Sequence, residues 1–189
     1  VRKQHLIVTI SALIIIVIAM GWIYPFSFVS FNKSFTYSAE KSTIDEYTSK
    51  LEVFKNLYKT DEIQPDVTTS YIGEEEVQNL LSNPLFTTPN REIIHYKDLE
   101  QLQKKINTFR LKLTHLDRTS MNTYNAKAQR YLYLLLDNSE YMEIQVEKML
   151  DSDFSTKSNL RDDFEEVHVS MITMIEHLTT FYQAYLNGS

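Results

Sequence analysis

Two histidines in this chain stand three residues after a glutamate, Glu92 with His95 and Glu165 with His168. On a helix that spacing puts a carboxylate and an imidazole on one face. Two such pairs joined by two further carboxylates form the ligand set of di-iron and di-manganese bundles. Ligands of that kind point into the bundle core, whereas both pairs here lie beside the apolar stripes of their segments. Glutamate is also frequent in the chain, so such a pair arises readily by chance. The sequence therefore reads both pairs as solvated helix-surface residues and assigns no metal ligand. The remaining histidines, His5, His115 and His177, complete no comparable spacing.

Nucleophilic chemistry fares no better. The chain has no cysteine, so it holds neither a reactive thiol, a disulfide framework nor a lipid-attached cysteine. No G-x-S-x-G elbow occurs. Gly73 is the one glycine well inside the polar part of the chain, too few for a loop that cradles phosphates. The acids Asp162, Asp163, Glu165 and Glu166 suit the charged first turns of a helix, where the helix dipole favours them. A net charge of −6 gives no basic face for nucleic acid. The expectation is a protein that is not an enzyme, with no catalytic residue, no cofactor and no nucleic-acid partner.

The elements that would position any site are easier to read. From Leu6 to Tyr24 run nineteen residues without a charge. At about 1.5 Å per residue such a run spans roughly 28 Å, close to the hydrocarbon thickness of a bilayer. Arg2 and Lys3 precede it and the next cation is Lys33, which favours an inside N-terminus. Trp22, Tyr24, Phe26, Phe28 and Phe31 form an aromatic cluster at the level of the outer interface. A cleaved signal peptide is the competing reading. Its apolar region would be unusually long, and bulky Tyr37 spoils the best cleavage site, at Tyr37-Ser38-Ala39. The chain thus divides into a short cytoplasmic tail (1–5), a transmembrane anchor (6–24), a juxtamembrane segment (25–42) and a helical bundle domain (43–189). In the juxtamembrane segment, aromatic spacing does not choose between helix and strand.

Three glycines and four prolines in 189 residues favour long helices over a sandwich or barrel. Ile44, Tyr47, Leu51, Phe54 and Tyr58 make one stripe at helical spacing, with Ser42 as N-cap, Leu57 widening the stripe and Pro65 as stop. A short helix over 74–82 carries Val77, Leu80 and Leu81, and 83–90 reads as a loop. A second stripe follows at Leu99, Leu102, Ile106, Phe109, Leu113 and Leu116. A third runs through Met121, Tyr124, Ala128, Tyr131, Leu135, Asn138, Met142, Gln145 and Met149. The step of five from Leu116 to Met121 shifts the phase. With no glycine or proline at the junction, the expectation is one long, slipped helix over 94–150 rather than two helices with a tight turn. After a loop at 151–158, Leu160, Phe164, Val167, Met171, Met174, Leu178, Phe181 and Tyr185 make a last stripe, ended by Asn187 and Gly188.

These stripes predict an all-α fold, an N-terminal transmembrane helix followed by an extracytoplasmic helical bundle or antiparallel coiled coil with one long helix. The short loop near residue 155 predicts an antiparallel pair in which residue n faces roughly residue 310 − n. That register brings Glu143 and Glu147 towards His168 and Arg161. The function expected is an interaction or scaffold module in a bacterial cell envelope, held by the lipid bilayer and partnered by another envelope or membrane protein. The alternative is a ligand-sensing bundle. With only some five residues on the cytoplasmic side, a sensor of this kind would signal through a partner's membrane helix.

Overall fold

The computed structural model of the chain describes residues 2–59, 66–89 and 92–188, without the side chains of Arg2, Lys3 and Leu6. Pro65, read above as a stop, and Asn90, the last residue of the expected loop 83–90, fall outside the described residues, as do the side chains of the two flanking cations. The molecule is mostly helical. Its elements in chain order are α1 (Arg2–Ile23), β1 (Ser34–Tyr37), α2 (Lys41–Lys59), α3 (Val67–Gly73), α4 (Glu75–Leu81), α5 (Pro84–Thr87), β2 (Glu92–His95), α6 (Tyr96–Ser120), α7 (Ala126–Leu150) and α8 (Lys157–Leu186).

Helix α8 lies at the centre. It packs against α7, α2 and β1, while α6 packs on the far side of α7. The α7–α8 pair is antiparallel in the register expected from its short loop. Asn138 donates to the Ser170 carbonyl at 3.0 Å, Asn125 donates to the Ala184 carbonyl, and Lys148 pairs with Asp163 at 3.3 Å. Helix α2 runs parallel to α8, since Tyr47 meets His168 and Phe54 meets Tyr182. The short helices make the return crossover. Thr68 and Thr69 of α3 hydrogen-bond the Tyr124 and Tyr182 hydroxyls at 2.8 and 3.1 Å, and α4 then descends along α6, tied by Lys112 to Glu74. Phe86 of α5 reaches the other end, stacked on Phe164 at 5.7 Å.

The single long helix over 94–150 is not formed. Helix α6 ends at Ser120, Met121–Thr123 make a 3-10 turn, and α7 begins at Ala126. Capping chemistry does the work here in place of glycine or proline. Asn125 accepts from the Ala128 N–H at 2.9 Å, and the Gln129 amide donates to the carbonyls of Met121 and Tyr124. These bonds satisfy backbone groups that a helix break leaves open. The phase slip between Leu116 and Met121 marks this turn.

The buried face of α7 also differs from the stripe drawn on it. Ala128, Leu135, Met142 and Met149 are buried as expected, but Leu132, Ser139 and Val146 join them in place of Tyr131, Asn138 and Gln145. A helix wedged between two neighbours is covered over a wide arc, and spacing alone cannot tell which flank of the stripe is inside. Helix α2 starts at Lys41, one residue before the expected Ser42 cap. Its stripe of Ile44, Tyr47, Leu51 and Phe54 is buried.

The segment 25–42 belongs to the folded domain. Strand β1 pairs antiparallel with β2, Phe35 opposite Ile94 and Tyr37 opposite Glu92. Phe26, Phe35 and Tyr37 are core residues, with Phe26 edge-on to Phe35 at 6.0 Å and to Tyr96 at 5.3 Å. The fold is thus mainly α with one small two-stranded sheet.

Helix α1 has no such packing along most of its length. From Ile7 to Ala19 its side chains are exposed on every side, and the polar ones are only Thr9 and Ser11. Its C-terminal turn does meet the domain. A Cβ on Gly21 would stand 2.9 Å from the Val29 carbonyl oxygen, so the returning chain approaches as only glycine allows. Lys157 Nζ lies 5.1 Å over the Trp22 ring. Among the described residues, no helix is long and apolar enough to cross a membrane.

Candidate functional site

The structure separates the two glutamate–histidine pairs. Glu92 and His95 lie on strand β2, where three residues of separation place them on opposite faces. His95 is exposed and its backbone N–H donates to Asp98 at the start of α6, at 2.8 Å. The helical spacing that would make the pair a ligand set is therefore absent. Glu165 and His168 do share α8, yet His168 is fully buried, which corrects its reading as a solvated residue. The sequence pattern missed this because β1, α2 and α5 cover α8 on a flank beyond its main stripe.

His168 sits in an aromatic box. The Tyr37 hydroxyl lies 3.0 Å from its Nδ1, and the rings of Tyr47 and Phe86 stand edge-on at 5.7 and 5.3 Å. Tyr47 turns its own hydroxyl away to the Leu81 carbonyl at 2.7 Å. A hydrogen bond donated by Tyr37 goes with a neutral imidazole protonated on Nε2, and that nitrogen has no hydrogen-bond partner among the described residues. Burial holds the His168 pKa down to about 4, and the Phe86 backbone carbonyl offsets this only in part. Burial pushes the Tyr37 and Tyr47 hydroxyls well above the ordinary tyrosine range. A box closed in this way orders the core and offers no open position to a substrate.

Among the described residues, no three His, Asp or Glu side chains gather as a metal would require. His115 packs its ring on Tyr71 at 4.9 Å. Glu143, expected near His168 and Arg161, instead pairs with Arg110 of α6 at 2.7 Å, and Arg161 pairs with Asp162. Helix α7 turns that flank towards α6, which the slipped-helix reading had removed as a neighbour.

One concave surface involves His177. A groove of about 590 Å³ runs between α2, α7 and α8, lined by Lys50, Val53, Arg130, Tyr131, Leu134, Glu176, His177, Thr179 and Thr180. Lys50 bridges Glu46, at 2.6 Å, and Glu176. Burial works against the charge on Lys50, but its bonds to those two carboxylates outweigh it and raise the pKa. The Tyr131 ring meets the His177 imidazole at 5.7 Å, and His177 Nδ1 is buried with no hydrogen-bond partner among the described residues. Burial lowers the His177 pKa, and neighbouring Glu176 opposes the shift. Arg130 is exposed and makes no ion pair among the described residues. The arrangement offers hydrogen-bonding groups and a cation beside apolar side chains. Such a lining suits the binding of a small polar or anionic group.

The groove was not legible beforehand. The stripe on α7 places Tyr131 in the core, and the run Tyr131-Leu132-Tyr133-Leu134-Leu135-Leu136 carries the available signal, being apolar over more than one helix face. No family model, curated protein or solved structure matches the chain.

Proposed function

We propose that this chain is a membrane-tethered helical interaction module of a cell envelope. In this reading α1 crosses the bilayer and the bundle stands on the extracytoplasmic side, offering its surface to another envelope or membrane protein. The observation that carries the reading is α1 itself, apolar on every side and unpacked over most of its length. A helix apolar all round has no stable place in water and is the form that lipid accepts. With Leu6 and Tyr24 taken from the sequence, its uncharged run of nineteen residues reaches a bilayer's hydrocarbon thickness. The cations Arg2 and Lys3 before it give the orientation. Binding, rather than catalysis, is the role assigned to the bundle.

A second reading, a ligand-sensing bundle, draws on the groove. Its volume lies within the range of about 300–1,000 Å³ typical of small-molecule sites. Arg130 and the unpartnered His177 nitrogen would favour an anionic ligand.

Protease added to intact, wall-stripped cells tests the tether. Residues beyond about 40 are expected to be degraded while α1 remains in the membrane fraction. Full protection, or a soluble mature protein beginning near Glu40, would refute it.

A further inference from the structure

Four exposed aromatic rings stand at the end of the bundle from which α1 departs. Trp22 is 73% exposed, Phe28 80%, Phe31 98% and Phe154 65%. Trp22 lies in the last turn of α1 and Phe28 and Phe31 follow it in the chain, but Phe154 comes from the α7–α8 loop. Its ring meets Tyr24 edge-on at 5.9 Å, which fixes it at the level where α1 ends. Lys157, the first residue of α8, is held over Trp22 at the same level, and Lys33 Nζ lies 5.2 Å from the centre of the Tyr96 ring. Sequence-distant parts of the domain thus contribute to one rim of rings and ammonium groups around the root of an apolar helix.

Bare rings beside cations are the residues that concentrate where hydrocarbon meets headgroups, each ring in the apolar layer and each ammonium near phosphate. We infer that this rim lies in the headgroup layer of the bilayer, with Phe154 as a second lipid contact remote in sequence from the anchor. The bundle then sits on the membrane surface rather than swinging above it. The inference rests on α1 crossing the bilayer, which places lipid against the same rings. Asp151 and Asp153 precede Phe154 and balance the two lysines, so the contact is made by rings and does not require anionic lipid.

The native chain has no cysteine, so single cysteines take a nitroxide label at one place. Full-length Ile15→Cys, Phe154→Cys, Phe31→Cys and Tyr133→Cys variants, reconstituted in phosphatidylcholine vesicles, are compared by collision with oxygen and with a water-soluble nickel chelate. Position 15 lies within α1, and position 133 is an exposed site high on α7. Expected is a deep label at 15, a fully aqueous one at 133, and oxygen-to-nickel ratios at 154 and 31 several-fold above that at 133. The label at 31 keeps Phe154 in place, so loss of that ring cannot mask the contact. Aqueous labels at both 154 and 31 with a deep label at 15 would overturn the surface contact and leave the anchor intact. An aqueous label at 15 would overturn the anchor, and the inference with it.

Discussion

Acid should loosen this domain through His168, and the size of the effect follows from its box. Buried neutral against the Tyr37 hydroxyl, His168 titrates at about 4 in the folded chain, against 6.5 for a free imidazole. Because the folded pKa lies below the unfolded one, the unfolded chain binds more protons between those values. Stability is therefore flat above about pH 6.5, falls as the pH drops towards about 4, and levels off below it. The steepest slope is about 1.4 kcal/mol per pH unit, and the loss at pH 5 is on the order of 2 kcal/mol. Against a total of ~5–15 kcal/mol for a typical domain, that is a large fraction. Other groups titrate in the same window, so the informative quantity is the difference from His168→Gln. That variant keeps a hydrogen-bonding partner for Tyr37 and does not ionise. Urea unfolding of the full chain in mild detergent, followed by tyrosine circular dichroism from pH 7.5 to 4.5, gives both curves. The native chain should lose the extra stability and the variant should not. Parallel curves would show that His168 is not held neutral and that the box is open to water.

The turn and the seam give two further expectations. Asn125→Ala removes the cap of α7 and its bond to the Ala184 carbonyl, so it should cost about 1–3 kcal/mol in the same urea assay, with increased amide exchange at the start of α7. Leu135→Ala, in the fully buried seam, should cost ~2–5 kcal/mol, while Glu143→Gln at the partly exposed Arg110 pair should cost no more than about 1 kcal/mol. A cost for the ion pair equal to that of the leucine would refute the ranking.

Helix identity and the α7–α8 register were legible because the periodic apolar positions of α2, α6 and α8 are the positions buried. Three features were not. Strands β1 and β2 are each four residues long, too short for alternation to separate them from helix, and their pairing joins Phe35 to Ile94 across the chain. The break at Ser120 is made by side-chain caps, and Asn122, Thr123 and Asn125 were its signals, weaker in the sequence than a glycine would have been. Helix α3 lacks a stripe long enough to see, although Asp66 caps it by accepting from the Thr69 N–H at 2.8 Å. The histidine error has one cause. A stripe identifies the most buried face of a helix, and His168 lies on a second face that only three-dimensional neighbours define.

The same neighbours decide how α1 is joined to the bundle. A flexible linker would leave the residues after the helix free of the core. Here the chain returns within contact of Gly21, buries Phe26 between Phe35 and Tyr96, and enters β1, which packs on α8. Lys157 and Phe154 add contacts from the start of α8 and the loop before it. Rotating α1 against the bundle would have to break the Phe26 packing and slide the Gly21 contact, and packed interiors resist such deformation. The two readings of function then share one mechanical consequence. Whatever binds along α2, α7 and α8 acts on a body fixed to α1, through α8 and the β1 strand that packs against it.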